Sequence, residues 1–115
     1  MVVLIVDDNS AMRRVIRAVV WQLALDADIA ECDDGAQAIE FCHKRRPDWV
    51  LMDIRLGGMN GIEASRQIKA QYPDIRIVIV TNYDDAGLRE AAVSAGACAY
   101  LLKENLMDLR QIFTT

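Results

Sequence analysis

The stretch VVLIVDDNSAMRRVIRAVVWQL, Val2 to Leu23, carries two periods in succession. Val2 to Val6 is apolar at every position, without polar alternation, which is the pattern of a strand covered on both faces in a parallel sheet. From Met12 the period becomes 3.6, with Met12, Val15, Ile16, Val19 and Leu23 on one helical face. A strand followed at once by an amphipathic helix is a β-α unit, and the rest of the chain repeats it.

Strand-length apolar runs recur at Ala27 to Cys32, Trp49 to Met52, Ile75 to Val80 and Cys98 to Leu102. Helices are expected at about Gly35 to Lys44, Gly61 to Gln71, along the stripe Leu88, Ala91, Ala92 and Ala95, and at Leu106 to Phe113. Pro47 and Pro73 lie just beyond two of these, where a helix cannot continue. The strand starts are far enough apart for a right-handed crossover helix each time. The expected fold is α/β, a flavodoxin-like (βα)5 doubly wound sandwich with a five-stranded parallel sheet in the order 2-1-3-4-5. Such folds hold ligands outside the carboxyl ends of the strands, where the winding reverses.

Composition bounds the alternatives. A chain of 115 residues with 53% hydrophobic and 26% charged residues is expected to form one domain over residues 1–115, with a core large enough to need no disulfide or metal staple. The formal charge of −4 and the lack of a Lys/Arg stripe speak against direct nucleic-acid binding. No run approaches the roughly twenty apolar residues of a membrane span. Asp7 and Asp8 interrupt the place of a signal peptide's apolar region, so the expected location is cytoplasmic. Three cysteines without CxxC spacing indicate neither a disulfide framework nor a zinc site, and Cys42 and Cys98 are expected to pack as small hydrophobes.

The strand ends collect a coherent set: Asp7 and Asp8 after strand 1, Asp53 after strand 3, Thr81 at strand 4 and Lys103 after strand 5. Each has an ordinary alternative: Asp7, Asp8, Asn9 and Ser10 as helix caps, Asp53 as a turn residue, Thr81 as a strand residue, Lys103 as a solvated lysine. Together on one edge they form a shallow pocket with three carboxylates and one ammonium, a charge of −3 + 1 = −2. A divalent cation balances that set, and oxygen donors without His or Cys point to a hard ion, Mg²⁺ or Mn²⁺. An Asp carboxylate beside such an ion is a competent nucleophile toward phosphorus.

The strings VDDNS (Val6 to Ser10), LMDIRLGGMNG (Leu51 to Gly61), IVIVTN (Ile77 to Asn82) and YLLKEN (Tyr100 to Asn105) resemble those of response regulator receiver domains of two-component signalling. The resemblance covers essentially the whole chain. It implies that Asp53 is the phosphoacceptor, that Asp8 and Asp53 ligate Mg²⁺ directly and Asp7 through water, and that the Arg55 backbone carbonyl completes the protein's share. It implies phosphoryl contacts from Thr81 and Lys103, a switch role for Tyr100, and Arg55 and Tyr83 at the pocket mouth as tuners of the phosphorylated state's lifetime. The implied partners are a sensor histidine kinase and a second copy of the chain on phosphorylation. YLLKEN and TNYDD resemble receivers preceding a LuxR-type helix-turn-helix, so DNA contact is expected only through an output domain outside these residues; a stand-alone regulator is the alternative.

Departures from the family pattern are Leu56-Gly57 in place of Met-Pro, Asn82 in place of a small residue, and Glu104 in place of proline. The first implies a more mobile loop, and the last makes a cis peptide after Lys103 costly. Two rivals fit less well. Haloacid dehalogenase-type phosphatases separate their aspartates by one residue, and flavodoxin-like FMN carriers need a Ser/Thr/Gly phosphate loop after strand 1. His43 reads as a solvated or partly packed histidine, Lys44, Arg45 and Arg46 as cations at a helix C-terminus, and Trp49 as packing in or beside strand 3.

Overall fold

The computed structural model describes residues 1–114. Its elements run β1 (Val2–Val6), α1 (Ser10–Leu23), β2 (Asp28–Cys32), α2 (Gly35–Lys44), β3 (Trp49–Met52), α3 (Gly61–Gln71), β4 (Arg76–Thr81), α4 (Ala86–Ser94), β5 (Ala99–Leu102), a 3₁₀ segment (Lys103–Asp108) and α5 (Leu109–Phe113). All strand pairs are parallel and the order is β2-β1-β3-β4-β5, the expected doubly wound arrangement.

The alternation that a two-faced strand hides in sequence appears in the core. Leu4, Val6, Val50, Met52, Ile77 and Ile79 face one side, against Ala38 and Cys42 of α2, Ile68 of α3 and Ala92 of α4. Val3, Ile5, Leu51, Val78, Val80 and Leu101 face the other, against Ile16 and Val20 of α1 and against Leu106 and Leu109. Every one of these side chains is buried, which is why the strands read as continuous apolar runs.

The helices start where short polar side chains take up their free N–H groups. Asn9 accepts from Met12 at 2.9 Å, Asp34 from Gln37 at 2.8 Å, Asn60 from Ile62 at 2.7 Å and Asp85 from Leu88 at 2.8 Å. The cap of α1 is therefore Asn9, which leaves the carboxylates of Asp7 and Asp8 for other work.

Four expectations need correction. The stripe of α1 turns on Ile16 and Val20, and Val15 is 49% exposed because the buried face is narrower than five positions. Cys98 is exposed: it precedes β5, and its side chain borders a surface cleft shared with Arg76 and Trp49. The last helix starts as a 3₁₀ turn at Lys103, and only Leu109 begins α-helix; the i, i+3 spacing of buried Leu106 and Leu109 suits the tighter winding. The basic cluster after α2 is not explained by the helix dipole alone, because Arg45 ion-pairs with Asp28 and Arg46 lies over the Tyr72 ring. His43 is exposed and paired with the Tyr72 hydroxyl. Trp49 is buried at the amino end of β3, edge-on to Phe113.

Candidate functional site

Strand register brings the expected residues to one edge. Val6 pairs with Met52, so Asp7 and Asp53 follow side by side, and the Asp53 N–H donates to the Val6 carbonyl at 2.9 Å. Thr81 pairs with Leu102, placing Lys103 one step beyond. The ligand oxygens of Asp7, Asp8 and Asp53 lie within 4.8 Å of one another. Asp7 and Asp53 are buried, Asp8 is exposed.

Lys103 ties the group together: its Nζ lies 2.8 Å from Asp7 Oδ2 and 3.1 Å from Asp53 Oδ2. The contact with Asp53 is a hydrogen bond, whereas Asp7 Oδ2 is reached off the hydrogen-bond direction and has no other partner. The remaining oxygens are held by main chain: Asn9 N–H donates to Asp7 Oδ1 and Ile54 N–H to Asp53 Oδ1, both at 2.8 Å. Burial, assisted by the neighbouring Asp7 carboxylate, pushes the Asp53 carboxyl above its usual range although Lys103 pulls it down. Burial works against the Lys103 ammonium, but Asp7 and Asp53 outweigh it and the lysine is held above its ordinary value.

These residues fit a hard divalent cation. The donor set is oxygen only, and three carboxylates against the single Lys103 ammonium leave two uncompensated negative charges at the strand edge. The close packing of the edge also explains Gly61. A Cβ there would sit 1.8 Å from the Asp53 carbonyl oxygen, so α3 can begin against the site only with glycine. In the intervening loop Gly58 takes φ +79°, a left-handed conformation that glycine adopts freely.

Thr81 is fully buried, and its Oγ1 accepts the Tyr83 N–H at 3.2 Å. Tyr100 is half-buried against the α2–α4 side of the core, and its hydroxyl donates to the Tyr83 carbonyl at 2.6 Å. Arg55 and Tyr83, both expected at the pocket mouth, meet: the guanidinium lies 4.6 Å from the ring centroid. Sequence reading did not anticipate that Tyr83 acts through its main chain, nor that Arg89 lies over the Tyr100 ring. No local pattern marks either contact. The peptide after Lys103 is trans.

Comparison with known proteins agrees with this geometry. The transcriptional regulatory protein DegU of Brevibacillus brevis is 33% identical over 105 residues, which are 89% of this chain and 43% of that protein. The chain thus spans less than half of that relative. A LuxR-family two-component response regulator from Aurantimonas sp. superposes with a TM-score of 0.91 at 30% identity, covering 98% of this chain and 81% of that one. The Mn²⁺-bound response regulator Rcp1 superposes with a TM-score of 0.80 at 29% identity, covering 96% and 87%. Among the described residues no helix is long and apolar enough to cross a membrane. The family model for the response regulator receiver domain matches residues 3–114, nearly the whole chain, and the protein belongs to that family.

Proposed function

We propose that the chain is a phosphorylation-driven switch in which Asp53 accepts a phosphoryl group from the phosphohistidine of a sensor histidine kinase. Asp8 and Asp53 would hold Mg²⁺ directly and Asp7 through water, with the Arg55 carbonyl as a further oxygen. The observation that carries this reading is Lys103 shared between two buried carboxylates, 2.8 Å from Asp7 and 3.1 Å from Asp53. One ammonium against three carboxylates leaves a charge that suits a divalent ion, and a Mn²⁺-bound relative of the same fold supports that choice.

In the transfer an Asp53 oxygen attacks phosphorus, the bond to the donor's imidazole nitrogen breaks, and the electron pair returns to the ring. Mg²⁺ held by Asp8 and Asp53 would supply charge neutralisation for the phosphoryl oxygens. Lys103 already touches the accepting carboxylate and offers further N–H donors to those oxygens as charge develops. The Thr81 hydroxyl, which accepts from Tyr83, keeps its own proton to donate. The chemistry is performed once on the protein's own side chain, so the role is signalling rather than turnover of a substrate. The reading extends to transcription control through an output domain outside these residues, to dimerisation on phosphorylation and to a cytoplasmic location; the first is supported by the DegU relative, by its name a transcriptional regulatory protein.

Acetyl phosphate with Mg²⁺ should add about one phosphoryl mass, the one-site stoichiometry of an aspartyl acceptor. Asp53→Asn should add none. Full labelling of that variant would move the acceptor elsewhere.

A further inference from the structure

The Tyr100 side chain is gripped at two points, and both grips come from one short stretch after β4. Its hydroxyl donates to the Tyr83 carbonyl. Its ring face lies under Arg89 of α4, whose guanidinium carbon is 4.6 Å from the ring centroid. The guanidinium is itself tethered: Arg89 Nη2 and Nε lie 3.0 and 3.3 Å from Asp84 Oδ1. Asp84 is the residue next to Tyr83, so the carbonyl that bonds Tyr100 and the carboxylate that holds Arg89 come from adjacent residues.

The Arg89–Asp84 pair is solvent-exposed, and such pairs contribute little to stability. Its consequence is positional. A planar, weakly hydrated guanidinium packs on an aromatic face, and a tether that fixes it there reduces the entropy lost in the contact. These contacts together hold Tyr100 in the rotamer whose hydroxyl reaches the Tyr83 carbonyl and whose ring packs against the core.

We propose that Arg89, anchored by Asp84, is a positioning residue for Tyr100, holding its ring in the rotamer bonded to Tyr83 and so setting how far the switch is biased before phosphorylation. The inference rests on the reading of Asp53, Thr81 and Tyr100 as coupled. In that coupling, Thr81 drawn toward a phosphoryl group on Asp53 leaves space that the inward Tyr100 ring fills, so a contact that favours the inward rotamer must, by linkage, tighten the pocket's hold on that group.

The test uses the full chain with Mg²⁺ and beryllofluoride as a phosphoryl mimic, reading the Tyr100 χ1 from NMR three-bond couplings and the midpoint of the titration. In Arg89→Ala the inward rotamer should be depleted before the mimic is added. The midpoint should rise about two- to five-fold, the size of an exposed cation–π contact. Arg89→Lys should restore part of both, since it keeps the cation, and Asp84→Asn should shift both in the same direction as Arg89→Ala by less. If Arg89→Ala matches wild type in rotamer and midpoint while wild-type Tyr100 responds to the mimic, Arg89 is only a surface ion-pair partner and the proposal falls. If Tyr100 is silent in wild type, the switch reading itself fails and takes the proposal with it.

Discussion

Thr81 and Tyr100 are joined through the backbone of a single residue: Thr81 Oγ1 accepts the Tyr83 N–H at 3.2 Å, and the Tyr100 hydroxyl donates to the Tyr83 carbonyl at 2.6 Å. On the proposed reading, a phosphoryl group on Asp53 that drew the Thr81 hydroxyl toward it would pull on the Tyr83 N–H. Movement of Tyr83 then reaches Tyr100 through its carbonyl. This adds a main-chain route to the side-chain space that a displaced threonine vacates.

Thr81→Ala should leave labelling of Asp53 by acetyl phosphate largely intact and abolish most of the response around Tyr100. The check is the NMR shift change on adding beryllofluoride to each protein. An equal response near Tyr100 in both would show that the signal bypasses Thr81.

Metal affinity should depend on Asp8 more than on Asp7, because a direct ligand loses an inner-sphere bond whereas a water-mediated one is replaceable. Mg²⁺-induced rises in Tm for Asp8→Asn and Asp7→Asn report the ranking. Trp49 fluorescence is a poor probe, since that residue lies at the opposite end of β3 against Phe113. Equal losses, or a larger loss for Asp7→Asn, would reverse the ligand assignment.

The raised Asp53 carboxyl fixes the sign of a pH dependence. A carboxyl whose folded value exceeds its unfolded one stabilises the fold below the unfolded value, near 4, and that contribution is lost as pH rises through the folded value. Metal-free protein should therefore lose stability from this group as its carboxylate forms, and Mg²⁺, which favours the carboxylate, should offset that loss. The Mg²⁺-induced rise in Tm should grow with pH across this window and shrink toward acid. A rise independent of pH would place the metal away from Asp53.

Gly61→Ala should destabilise the protein by about 1–3 kcal/mol or more, the cost of overpacking, because its Cβ meets the Asp53 carbonyl at 1.8 Å. Phosphorylation by acetyl phosphate should fall with it, since the displaced backbone carries Asp53, the proposed acceptor. Gly57→Ala, with open space around its Cβ, serves as the control and should change Tm little. Matching Tm values for the two variants would show that α3 yields without disturbing the site.

The sequence by itself determined the element order, the sheet topology and the residues gathered at its carboxyl edge. The reason is local: burial on both faces leaves Val2–Val6 and Arg76–Thr81 as near-continuous apolar strings, while helices keep a 3.6 period, and the winding rule turns strand ends into one shared edge. Asp7, Asp8, Asp53, Thr81 and Lys103 followed from that step. Only the tertiary structure decided which of them touch. Lys103 divides its ammonium between Asp7 and Asp53, Arg55 meets Tyr83, and Arg89 covers Tyr100, contacts between elements that leave no period in sequence. The same holds for Val15 and Cys98, apolar in pattern yet exposed, and for the 3₁₀ start of the last helix at Lys103. Burial depends on what the rest of the chain places opposite a side chain, and that is settled only when the layers pack.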